Sequence, residues 1–277
     1  MSVVAKTPSR ISNKTLIPFL ALAFGVTWGI AALLVLFTDR SVAIFGEFGL
    51  SNPLVLLMVY SPAFAGIFLV WRHEGLRGLG SFIRRLTLWR APLVWWLFLI
   101  AGIPAVVYTG AALKGTIGDP FPFSSWQQAL PALALALFLG PIEEFGWRGV
   151  ALPLLQRRFA PFWAGLLLGA IWAVWHLPAF LGSEMPQSSW SIAPYLGGIV
   201  AISVILTPLF NAARGSLLLS VLYHFQMMNP LFPDAQPWDN YLWIAVAALV
   251  VWLNRRTMFR RGAGITNVLM LEEPDRV

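Results

Sequence analysis

The chain has 277 residues, of which 58% are hydrophobic and only 11% charged, with a mean hydropathy of +0.73. Soluble domains carry roughly 25% charged residues, so there is too little polar side chain here to coat a water-facing globule, and the composition points to a polytopic membrane protein. The absence of cysteine excludes disulfides, Fe–S clusters, thiolate zinc sites and a Cys nucleophile. The net charge of +7 signals either nucleic-acid binding or membrane topology, and the placement of the cations decides between them.

A polar segment, 1–15, carries Lys6, Arg10 and Lys14 and precedes an apolar run of 22 residues from Leu16 to Phe37. That run outlasts the roughly 7–15 residues of a signal-peptide core and continues past the cleavage-like Ala21-Leu22-Ala23, so it reads as a retained first span. Further apolar stretches at 53–71, 92–113, 129–153, 161–180, 192–210, 216–232 and 241–254 bring the total to eight. Lengths near 20 residues suit a hydrocarbon core of about 30 Å at about 1.5 Å per residue. Unbroken apolarity, rather than alternation, argues against strands.

The expected fold is all-α, with one transmembrane domain over 16–258 between the N-terminal segment 1–15 and a tail, 259–277, whose part from 262 onward is expected to be mobile. Gly25-x-x-x-Gly29 and Gly165-x-x-x-Gly169 put small residues one turn apart, where helices approach closely.

With eight spans both termini share a side, and that side receives sixteen of the nineteen Lys and Arg residues. They are the three N-terminal cations, five arginines at 72–90, Arg157 and Arg158, Arg214, and five arginines at 255–276. Arg40 and Lys114 fall on the other side, and Arg148 lies within a span. The positive-inside rule makes both termini cytoplasmic. The cations are then topology determinants beside anionic lipid, and no nucleic-acid partner is implied.

Five ionisable residues remain inside apolar spans: Glu143, Glu144, Arg148, His176 and His224. Burying such groups costs several kcal/mol unless they pair or face water, which marks them as functional candidates. Glu144 and Arg148, four apart, meet on one helical face. Glu143 points about 100° away and is left to act elsewhere. A hairpin turning at Phe159–Ala160 places Glu143 and His176 at equal depth, 16.5 residues from its midpoint. His224 reaches their level by tilt or a staggered loop.

A carboxylate beside two imidazoles can activate water as a general base. The alternative is that Glu143, His176 and His224 bind a divalent metal such as zinc, although no cofactor is required by the sequence and no His-Glu-x-x-His signature occurs. Ser-His-Asp catalysis is disfavoured because no aspartate lies within a span. His73 reads as solvated, His176 and His224 each have an alternative as structural hydrogen-bonding residues, Trp172 and Trp175 read as packing or interfacial anchors, and Gln226 and Asn211 as interhelical hydrogen-bonding residues.

Glu143-Glu144-Phe145-Gly146-Trp147-Arg148, Trp172-Ala173-Val174-Trp175-His176, and Arg214-Gly215-Ser216 leading into Tyr223-His224-Phe225-Gln226-Met227-Met228-Asn229 resemble, in order, the three motifs of the CPBP intramembrane proteases, the CAAX-protease and bacteriocin-processing group. The resemblance spans about 129–232. It implies that Glu143 with His176 activates water, that His224 and the Asn of the third motif stabilise the oxyanion, and that Glu144 and Arg148 orient the site. One departure stands out: the position four after His224 is Met228, and the amide is Asn229, so a π-bulge or unwinding before Pro230 is needed to bring it round.

The sequence therefore predicts an intramembrane endopeptidase in a prokaryotic cytoplasmic membrane, with lipid and a peptide or membrane-protein substrate as partners. A proton-coupled transporter and a non-catalytic immunity or scaffold protein of the same fold are the alternatives. The transporter lacks its usual repeated halves.

Overall fold

A computed structural model describes residues 11–270. Eight apolar helices carry the fold: α1 Leu16–Leu36, α2 Pro53–Ile83, α3 Leu93–Lys114, α4 Trp126–Gln156, α5 Pro161–Trp175, α6 Ile192–Ala212, α7 Leu217–Met227 and α8 Trp238–Leu253. The first six are long and apolar enough to cross a membrane, while α7 and α8 are shorter. The all-α expectation holds among the described residues, with a single isolated backbone bridge, Gly49 to Glu184, in place of any sheet. The N-terminal segment up to residue 10 lies outside the described residues.

Leu36, Leu93 and Ile17 are at least 70% exposed on the outer surface, as lipid-facing side chains must be when no water has to be avoided. The core is centred on α6, which packs against α5 on one side and α8 on the other. Gly165 and Gly169 make the α5–α6 approach close. A Cβ at Gly169 would lie 2.9 Å from the Val200 backbone, and Ser203 Oγ donates to the Gly165 carbonyl at 3.0 Å. Gly25 and Gly29, by contrast, have open space where a Cβ would stand, so that pair makes no helix contact and its packing role is not found.

Two further expectations are corrected. Arg85 is no lipid-facing topology cation: it is 1% exposed, its guanidinium carbon 5.8 and 5.2 Å from the Phe82 and Phe210 ring centroids. It donates to the carbonyls of Gly215, Gly149 and Val268 at 2.8–2.9 Å. The tail is also docked, not mobile, as far as Met270. Gln156 donates to the Ile265 carbonyl and Arg157 to that of Thr266, both at 2.9 Å, and Val268 is 1% exposed. Backbone groups with no sheet or helix partner find these side-chain donors instead. Residues 271–277 lie outside the described part.

Candidate active site

The segment bearing the first motif is not a continuous helix. α4 runs regularly over Trp126–Phe138, tightens to a 3-10 turn at Pro141–Glu143, and widens to a π turn at Trp147–Ala151 before its last residues, Leu152–Gln156. Proline supplies the reason. Pro141 and Pro153 have no N–H to give to the carbonyl four residues back. The carbonyl freed by Pro153 is that of Gly149, which accepts from Arg85 at 2.9 Å. Gly146 lets the α2 backbone close in: a Cβ there would fall on the Pro62 carbonyl. The unwound stretch is buried in protein, which is where irregular backbone is tolerated at membrane depth.

Glu143 and Glu144 sit at this junction, 3% and 0% exposed. Glu143 Oε2 accepts two indole N–H bonds, from Trp172 at 2.9 Å and Trp147 at 3.3 Å. Glu144 Oε1 accepts from Arg148 Nη1 at 3.0 Å, so the i,i+4 pair is present. The same oxygen also lies 2.8 Å from His224 Nδ1. This second partner was not legible in the spacing, because it joins residues 80 apart in sequence.

His176 Nδ1 contacts the Trp172 carbonyl at 2.9 Å. That is the structural hydrogen bond foreseen as its alternative role, yet it also places the ring proton on Nδ1 and leaves Nε2 as the basic nitrogen. Trp172, read from sequence as an anchor, is central instead. Its indole N–H holds Glu143, its ring carries the Arg148 guanidinium at 4.5 Å, and both histidine rings stand edge-on to it at 5.3 and 5.4 Å. An aromatic residue four before a histidine was the available signal.

Glu143, Glu144, Trp172, His176, Tyr223 and His224 all line one mainly apolar cavity of about 350 Å³. Asn229 does not. Its amide donates to Gln226 Oε1 at 3.0 Å and its Oδ1 accepts from the Leu231 N–H at 3.1 Å. α7 runs without a π-bulge and ends at Met227, so Asn229 lies past the helix end, where these local bonds hold its amide. Met228 takes the place facing the site, where a Cβ at Gly140 would overlap its sulfur and come within 2.9 Å of His224 Nε2. Among the described residues no group of three or more His, Asp or Glu side chains is arranged to hold a metal.

Residues 125–228 match the family model described as type II CAAX prenyl endopeptidase Rce1-like. Over 181 residues the chain is 26% identical to a CAAX prenyl protease 2 of Methanococcus maripaludis, a match covering 61% of this chain and 65% of that protein. The matched segment contains the first two motifs, and the third as far as Met228, with Glu143, Glu144, Trp172, His176, Tyr223 and His224 of the cavity lining. Over this segment the chain is similar to the type II CAAX prenyl endopeptidases.

Proposed function

We propose that the protein is an integral membrane endopeptidase that hydrolyses a peptide bond with a glutamate-activated water, both termini lying on the cytoplasmic side. The observation that carries this reading is the pair of neighbouring carboxylates with opposite partners. Glu143 is held only by neutral indole donors, whereas Glu144 is neutralised by Arg148 and His224. Two titratable groups so differently surrounded divide acid and base work between them.

Glu143 takes a proton from water, and the resulting hydroxide attacks the substrate carbonyl carbon. His224 must carry a proton on Nδ1 to bond the Glu144 carboxylate, so its Nε2 can donate to the tetrahedral oxyanion only as the imidazolium. Glu144 is placed to stabilise that cation. An oxyanion donor of this kind is worth roughly 2.7–4 kcal/mol. As the intermediate collapses the C–N bond breaks and the proton held by Glu143 passes to the leaving amine, with His176 Nε2 as the second acceptor in the site.

Comparing new protein termini in membranes that express the wild type or Glu143→Gln tests the reading. Termini that vanish in the variant support it, and identical sets overturn it. The placement of Asn229 outside the cavity favours one rival, a non-catalytic protein of the same fold, which predicts those identical sets.

A further inference from the structure

The cavity has a direction. Its lining draws on Phe48 and Leu50 from the α1–α2 connection, Met185, Gln187 and Trp190 from the α5–α6 connection, and Gln236 just before α8. The first two connections are joined over it, the Glu184 N–H donating to the Phe48 carbonyl at 3.1 Å. With eight spans these three connections share one face of the membrane. No residue from the connections 84–92, 157–160 and 213–216 or from 254–270 lines the cavity, and those are the segments that hold the arginines.

Taking Arg85 out of the count as a buried clasp leaves fifteen Lys and Arg on the basic face against Arg40 and Lys114 on the other. Lys114 is moreover paired with Asp234 at 2.6 Å. The bias that sets orientation is thus as strong after the correction as before. The chain is basic at one end, and its cavity lies toward the other.

We infer that the catalytic cavity opens to the extracytoplasmic side, so that its substrate is an uncharged segment in the interior of an exported or membrane-anchored polypeptide, not a cytosolic C-terminus. The word substrate rests on the peptidase reading above; the orientation does not. The lining chemistry agrees. Among the described residues it includes Glu143, Glu144 and Asp239 but no Lys or Arg, so a terminal carboxylate would meet no fixed cation. The buried, unpartnered Gln187 Oε1 and Trp243 Nε1 offer one acceptor and one donor, which suit the N–H and C=O of an extended backbone.

Because the chain has no cysteine, each face can be probed with one introduced thiol. Ser189 and Thr87 are both exposed, on the cavity face and the basic face. In spheroplasts treated with a membrane-impermeant maleimide, Ser189→Cys should label at once and Thr87→Cys only after permeabilisation. The reverse pattern, or labelling of both from outside, overturns the inference. The termini lost in Glu143→Gln membranes should map to extracytoplasmic segments of their parent proteins. If they map to cytosolic segments, the inference falls and the peptidase reading stands. If no terminus depends on Glu143, the peptidase reading falls and the labelling still decides the orientation.

Discussion

Removing Glu144 should cost far more than removing its helical partner, because one oxygen serves two donors. Arg148 Nη1 and His224 Nδ1 lie 3.0 and 2.8 Å from Glu144 Oε1, and Glu144 and Arg148 are both 0% exposed. In Arg148→Met the carboxylate keeps His224, so the loss is that of one charged hydrogen bond, about 1–3 kcal/mol. In Glu144→Gln the guanidinium is stranded in a low-dielectric environment with only the Trp172 ring beneath it, and breaking a buried pair this way costs about 3–5 kcal/mol. The double variant Glu144→Gln with Arg148→Met removes the stranded charge and should recover most of that difference. Chemical denaturation in detergent, followed by tryptophan fluorescence, gives all four corners of the cycle. Equal single effects that simply add would refute the shared-oxygen argument, and Arg148→Met proving the more damaging would invert it.

Glu143→Gln should insert and fold like the wild type while losing turnover of any identified substrate, since the amide keeps the shape and both indole donors have an oxygen to bond; retained cleavage by the purified variant would show that another group activates the water. Gly140→Ala should lower turnover at least tenfold by pushing the Met228 side chain and His224, and adding Met228→Ala should restore much of it; no rescue would mean that the added methyl acts through the backbone. Asn229→Ala should cost about 0.5–1.5 kcal/mol of stability through its lost local bonds with less than a tenfold change in turnover, whereas Tyr223→Phe, which deletes a buried hydroxyl without a partner, should leave stability unchanged and slow turnover if that hydroxyl is the second oxyanion donor. Arg85→Met should destabilise the fold by several kcal/mol, as three carbonyls lose their donor, and should free the tail to proteolysis near Ile265; unchanged protease resistance would separate the two effects.

The parts of this fold that follow local rules were readable from the chain. Apolar length located all eight helices, and i,i+4 spacing gave the Glu144–Arg148 pair. Equal distance from a turn put Glu143 and His176 at one level. What could not be read depends on partners distant in sequence. Arg85 sits in a cluster of basic residues and looks like the others; only the carbonyls of Gly149, Gly215 and Val268 distinguish it, and these come from three other segments. The bond between Glu144 and His224 is of the same kind. Asn229 shows the opposite limit: the need for a bulge or unwinding was evident from the sequence, but α7 ends at Met227 and the amide, just beyond it, is engaged locally by Gln226 and the Leu231 N–H.

Breaks in a helix at membrane depth usually expose backbone groups that cost several kcal/mol each. Here the break in α4 falls at the two carboxylates. The 3-10 turn ends at Glu143 and the wider turn begins at Trp147, so Glu143 is directed toward the indoles and Glu144 toward Arg148 and His224. A straight helix would still set successive side chains about 100° apart, but Pro62 of α2 could not then approach Gly146, and Gly149 would have no carbonyl to spare for Arg85. Pro153 therefore supplies the Gly149 acceptor through which Arg85 fastens the tail, α2 and the α6–α7 connection around the motif-bearing segment. Docking of the tail and geometry of the site are linked through one residue, Arg85.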